Sequence, residues 1–131
     1  MSDVRRQAEE LGVKTQGMKK IDVAASFGLA KEGVATDVML EQGVVKVRRI
    51  ELAAGARIPP CQMQEDVVFI VLAGRVMFRT ETEEMRVEAP GAVFIPGGAT
   101  TRSMEAHEAS VVLAVLCRRE TGIQEGKKET S

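Results

Sequence analysis

The chain has no tryptophan and no tyrosine, and only four phenylalanines. Proteins that hold single-stranded nucleic acid stack its bases on aromatic rings, so the material for such a platform is scarce. Charge of one sign is missing too: 18 Lys and Arg stand against 19 Asp and Glu, a formal net charge of −1. That balance gives no electrostatic footprint for nucleic acid. Histidine is nearly absent, with His107 alone. A non-haem iron centre uses two His and one carboxylate, and catalytic zinc commonly takes three protein ligands, often His. With one His, a single subunit cannot build the usual form of either site, whose ligands are several imidazoles or imidazoles with a carboxylate. No apolar run is long enough to span a bilayer. Met1-Ser2-Asp3-Val4-Arg5-Arg6 leads into polar sequence, not into an apolar signal core. A cytoplasmic protein without nucleic-acid or membrane partners is therefore expected. Cysteine is sparse as well. Cys61 and Cys117 fit reduced thiols, since a disulfide needs their Cα atoms within about 7 Å.

What is present fits one domain with one core: 131 residues, 44% hydrophobic and 28% charged. The chain is organised around Gly55 to Gly98. Val67 to Leu72 is a short, unbroken, β-branched and aromatic run closed by Gly74. Its length suits a strand buried on both faces. Val76 to Thr80 is expected to pair back as a hairpin partner, with Thr80 to Glu84 as the exposed tip. Ala92 to Ile95 is another apolar strand, stopped by Pro96. Upstream, Thr36 to Leu40 reads as a strand broken at Gly43. Val44 to Leu52 is the longest strand candidate, but charge and bulk mix on both of its faces. Its charged positions are expected on a solvated face. Gly55 to Pro60 reads as a turn leading into the site. Ser110 to Cys117 is the final strand. Asp3 to Leu11 can form a short helix capped by Ser2 or Asp3, and Lys20 to Val23 an edge strand. The segment Glu120 to Ser131 is charged and nearly without apolar residues, and is expected to be loosely held. Strands punctuated this often point to an all-β sandwich or barrel.

Residues 36 to 117 resemble the cupin superfamily, small jelly-roll barrels with two signature motifs. Gly55 and Gly74 stand at the glycine positions of the first motif. Its two His positions fall on Cys61 and Met63, and its Glu position on Val67. In the second motif Pro96 and Gly98 match and the His position falls on Thr101; Gly91 sits one residue too close to Pro96. The framework is kept and every metal-ligand position is replaced. The resemblance implies an all-β, antiparallel jelly-roll β-barrel and a homodimer. The chain then divides into an N-terminal arm and edge strand over 1–35, the barrel over 36–117 and a charged tail over 118–131.

The same resemblance aims Cys61 and Met63, which share a strand face, into the barrel, with Gln62 and Gln64 pointing away. Thr101, Ser103 and Glu105 share a face by the same period. If Thr101 looks inward they follow, and Arg102 and Met104 face out. Cys61, Met63, Val67, Phe69, Thr101, Ser103 and Glu105 are thus the candidate ligand-binding residues, for a small molecule of unidentified chemistry and with no metal or cofactor. An apolar wall with a few placed polar groups is how such pockets are built. Three alternatives stay open. Cys61, Met63 and His107 form a soft metal set if His107 reaches inward. Glu105 is a general base if it faces a dry interior. Met63 and Val67 simply fill the barrel, leaving an interaction module. Cys61 itself is either an activated nucleophile or a small buried hydrophobe.

Overall fold

In a computed structural model, residues 17–23, 32–98 and 101–118 are described. Among them the chain forms strands and no helix: β1 (Val34–Gln42), β2 (Val45–Leu52), β3 (Arg57–Gln62), β4 (Asp66–Ala73), β5 (Arg75–Thr80), β6 (Glu84–Glu88), β7 (Gly91–Ile95), β8 (Thr101–Ala106) and β9 (Ser110–Cys117). One sheet is ordered β1-β2-β9-β4-β7 and the other β3-β8-β5-β6; every pairing is antiparallel. The expected helix at Asp3–Leu11 and the segment from Glu120 lie outside the described residues. Lys20 to Val23 is described and is not a strand.

The two sheets bury their facing sides against each other. In β4, Val67, Phe69 and Val71 are buried while Val68 and Ile70 are half-buried and Leu72 is exposed. The run is therefore sealed on one face only, because the outer side of this sheet is only partly covered. From the other sheet Val76, Phe78, Met104 and Ala106 enter the same cluster. Phe69 stacks on Phe78 across the interface with ring centroids 5.1 Å apart. Burial of each such side chain contributes about 1.5–3 kcal/mol, so this seam between sheets is the main source of cohesion.

Val76 to Thr80 does not pair back on β4. It lies in the other sheet, between β6 and β8, and the chain changes sheets at Gly74. The hairpin tip is where the sequence suggests. Thr80 N–H donates to the Glu83 carbonyl, and the Thr80 hydroxyl accepts from Glu83 N–H at 3.1 Å.

Two other expectations change. Arg57 to Gln62 is a strand, not a turn. It carries Pro59-Pro60 because it is an edge strand and its register shifts between Ile58 and Cys61, leaving no ladder bond for proline to break. In β2, the charges Arg49 and Glu51 are buried, at 6% and 5% exposure, and not on a solvated face. Arg49 reaches Glu51 at 3.5 Å and Asp37 at 3.6 Å, and donates to the Val23 carbonyl at 3.4 Å. Val23 thus lies over this side of β2, and pairing offsets the cost of burying the charges.

Candidate functional site

The register fixes what faces the interior. Residues opposite one another in an antiparallel pair share a face. Arg48, Ala114 and Phe69 form one such row across β2, β9 and β4. In the other sheet Ile58 pairs with Met104 and Cys61 with Arg102, and Phe78 pairs with Met104. Because Phe78 and Met104 are core residues, Cys61 and Arg102 share the inward side. Burial alternates to match: Arg102, Met104 and Ala106 are buried and Thr101, Ser103 and Glu105 are half-exposed.

Between the two inner faces, at the end where Cys61 stands, lies an open cavity of about 130 Å³. Ile50, Phe69, Ala114 and Leu116 line it from one sheet; Ile58, Met104 and Met63 close it from the other side. Arg48, Arg102 and Cys61 bring the polar atoms, and Ser103 borders it too. The cavity is thus predominantly hydrocarbon, with two guanidinium groups and a thiol.

Of the candidate residues, Cys61, Met63 and Phe69 come together around this cavity, and Ser103 borders it from a strand position that faces outward. Val67 is buried in the core beside Ile95 and Leu116 and is not part of the wall. Thr101 pairs with Gln62 on the outer face. Glu105 also lies outside, bonded to Arg79 at 3.1 Å and facing Arg57 at 3.6 Å. Arg79, and then Arg57, hold its carboxyl below the usual carboxylate range, the opposite of what a dry interior would do. The inward assignment of Thr101, Ser103 and Glu105, with Arg102 and Met104 outward, is therefore reversed. Cys61 is exposed, so it is not a buried hydrophobe.

Arg102 is the residue that the expected register hid. It is 5% exposed. Its two terminal nitrogens donate to the Ile95 carbonyl at 3.2 Å and the Glu65 carbonyl at 2.6 Å, tying the end of β7 to the turn before β4. Its Nε–H has no acceptor. Burial lowers its pKa, offset in part by Glu65, Cys61 and Asp66; a guanidinium remains charged regardless. Arg48 has no hydrogen bond or ion pair among the described residues.

The soft-metal alternative does not assemble. His107 follows β8 at its far end, where its N–H donates to the Arg75 carbonyl. Five residues of strand separate it from Arg102, which pairs with Cys61, a span of roughly 17 Å. Among the described residues no group of three or more His, Cys, Asp or Glu side chains is placed to hold a metal ion, and no helix is long and apolar enough to cross a membrane.

Other concavities lie on or near the outside. One of about 220 Å³ involves Arg57, Arg79 and Glu105, whose charges are already paired. Another, of about 130 Å³, runs from the polar hairpin tip to Phe94 and Pro96.

No family model and no curated protein matches this chain. Solved structures do. A conserved protein of unknown function from Streptococcus pyogenes superposes with a TM-score of 0.69 at 18% identity, covering 81% of this chain and 92% of that one. A cupin superfamily protein from Desulfitobacterium hafniense gives 0.68 at 13% identity, covering 81% and 97%. KdgF from a Halomonas species gives 0.61 at 21% identity, covering 67% and 82%. At such identities the likeness establishes the fold, and that fold is the cupin fold.

Proposed function

We propose that this cupin-fold chain is a metal-independent small-molecule-binding domain that uses the cavity between its two sheets, in a jelly-roll arrangement. The observation that carries the reading is the cavity itself: about 130 Å³, apolar-walled, open to solvent, and placed where the motif's replaced ligand positions Cys61 and Met63 stand. An apolar cavity of roughly 150 Å³ can hold a benzene-sized molecule. A filled interaction module would have packed this space, since core voids cost stability.

The test is a fragment screen by heteronuclear NMR on the full chain, paired with Ala114→Met. Ala114 is fully buried and lines the cavity, so methionine occupies the space without reaching the surface. Fragments are expected to shift amides of the cavity wall in the parent protein and not in the variant. Absence of any wall-directed fragment overturns the reading. Stoichiometric, tightly bound iron, nickel or manganese in the purified protein overturns its metal-independent part.

The homodimer belongs to the same proposal. Support comes from the outer side of the five-stranded sheet, where Val68 pairs with Val115 and Phe94 and Phe94 is 59% exposed. A second copy of the chain is the occupant this largely uncharged patch suits.

A further inference from the structure

We infer that the ligand taken by this cavity is a small organic carboxylate, its apolar body seated against Phe69 and Met104 and its carboxylate held at the mouth by Arg102 and Arg48. The inference rests on the proposed binding reading and adds the chemistry of the ligand.

Three observations meet here. First, the cavity wall is mostly hydrocarbon, and both of its charged groups are cations. Glu65 and Asp66 lie close enough to influence Arg102, but neither is part of the wall. Asp66 already accepts from Gly97 N–H at 2.9 Å. Second, Arg102 is more buried than a guanidinium ordinarily is, at 5% exposure. Its structural role as a clamp on Ile95 and Glu65 accounts for both terminal nitrogens. Its Nε–H, like that of Arg75, is buried without an acceptor. Both hydrogen-bond partners of Arg102 are neutral carbonyls, so no bonded carboxylate neutralises the cation it places beside the cavity. Third, Arg48 enters from the opposite sheet without an ion-pair partner among the described residues. Two arginine side chains, one from each sheet, line a space sized for about one ring. Guanidinium is the side chain best matched to a planar carboxylate. Inorganic phosphate would satisfy the charges but leave the apolar wall unused.

The test titrates the full chain, at low chloride, with benzoate, with its neutral isostere benzamide, and with inorganic phosphate. Heteronuclear NMR follows the wall amides and the guanidinium signals of Arg48 and Arg102. Benzoate is expected to bind once per chain, to move both sets of signals, and to bind at least about tenfold tighter than benzamide. Arg48→Gln should weaken benzoate about tenfold and leave benzamide unchanged. Arg102→Lys keeps the charge, loses the fork, and should also weaken benzoate. If Arg102→Lys does not fold, Arg48→Gln and the Arg48 guanidinium signal decide the matter alone. Equal binding of benzoate and benzamide, with wall amides moving, leaves the cavity reading standing and overturns the carboxylate. Phosphate binding as tightly as benzoate also overturns it, because the apolar wall then contributes nothing. Failure of both ring compounds to move wall amides removes the cavity reading and this inference together.

Discussion

Gly55 and Gly74 occupy the two glycine positions of one motif, yet the structure gives them different reasons to be glycine, and replacing each with alanine separates the reasons. Both have positive φ, +82° at Gly55 and +88° at Gly74. An L-residue pays roughly 1–2 kcal/mol for that conformation, reduced by the lower chain entropy of unfolded alanine, about 0.4–1 kcal/mol. At Gly55 a Cβ meets nothing within 4 Å, so Gly55→Ala should cost only that difference, about 1 kcal/mol. At Gly74 a Cβ would lie 2.2 Å from Ser110 Oγ, 2.5 Å from the Ala109 carbonyl oxygen and 2.7 Å from Ser110 Cα. Two of those atoms are backbone, and Ser110 is fully buried at the start of β9. Its hydroxyl accepts from Arg75 N–H at 3.0 Å and donates to the Glu108 carbonyl at 2.6 Å. Overpacking of this kind costs about 1–3 kcal/mol, and loss of the Arg75 bond about 1 more. Gly74→Ala should therefore cost about 3–5 kcal/mol in total, a large share of the 5–15 kcal/mol of an ordinary domain. The assay is urea denaturation followed by far-UV circular dichroism, since the chain offers no Trp or Tyr signal. Adding Ser110→Ala should relieve Gly74→Ala only in part, because the backbone contacts stay. Equal costs at the two glycines, or full rescue by Ser110→Ala, would refute the close-approach argument.

Three further outcomes are expected. Glu105 has its carboxyl pKa lowered by Arg79 and Arg57, so its contribution is present above the unfolded carboxyl value of about 4.3 and lost as pH falls through the folded one. Glu105→Gln should be slightly less stable than the parent at neutral pH, with the gap closing in acid; a gap that widens in acid contradicts the assignment. Cys61 and Cys117 are both exposed and should both react with Ellman's reagent in the native protein, and benzoate should slow only Cys61, which borders the cavity. Protection of Cys117 instead would place the ligand elsewhere. Phe94→Glu, at a site 59% exposed, should convert a dimer to monomer in sedimentation while leaving the circular dichroism spectrum unchanged; an unaltered dimer moves the interface off this sheet.

The all-β framework was legible because its strands are short and sharply bounded. Ser110–Cys117 and the apolar segment around Val67–Leu72 are strands, at or within a residue of the bounds their composition suggests. Sheet membership was less visible. Val76–Thr80 follows β4 so closely that a hairpin looks natural, and only the tertiary arrangement carries it into the other sheet. Burial of Arg49 and Glu51 was hidden for a related reason. It depends on Asp37 and on the Val23 carbonyl, partners that no local pattern of β2 reveals.

The reversed face of β8 teaches something narrower. Its sequence, Thr101-Arg-Ser-Met-Glu-Ala106, alternates, and its apolar members Met104 and Ala106 share a face with Arg102. Period-two alternation alone puts that face inward, as the burial of all three shows. Following the motif position Thr101 instead shifted the whole strand by one residue, which exchanges every side chain between core and solvent. The exchange mattered because one member of the inward set is charged. An arginine in a core-facing position looks like a reason to turn the strand over. Here it is the reason not to: the Ile95 and Glu65 carbonyls receive it, and a buried cation with hydrogen-bond partners is tolerated where an unpartnered one is not. Where alternation and a motif disagree over which side of a strand faces in, and the inward set contains a lone arginine among hydrophobes, the pattern of hydrophobes carries more weight. The arginine is then the first residue to consider for recognition of an anion.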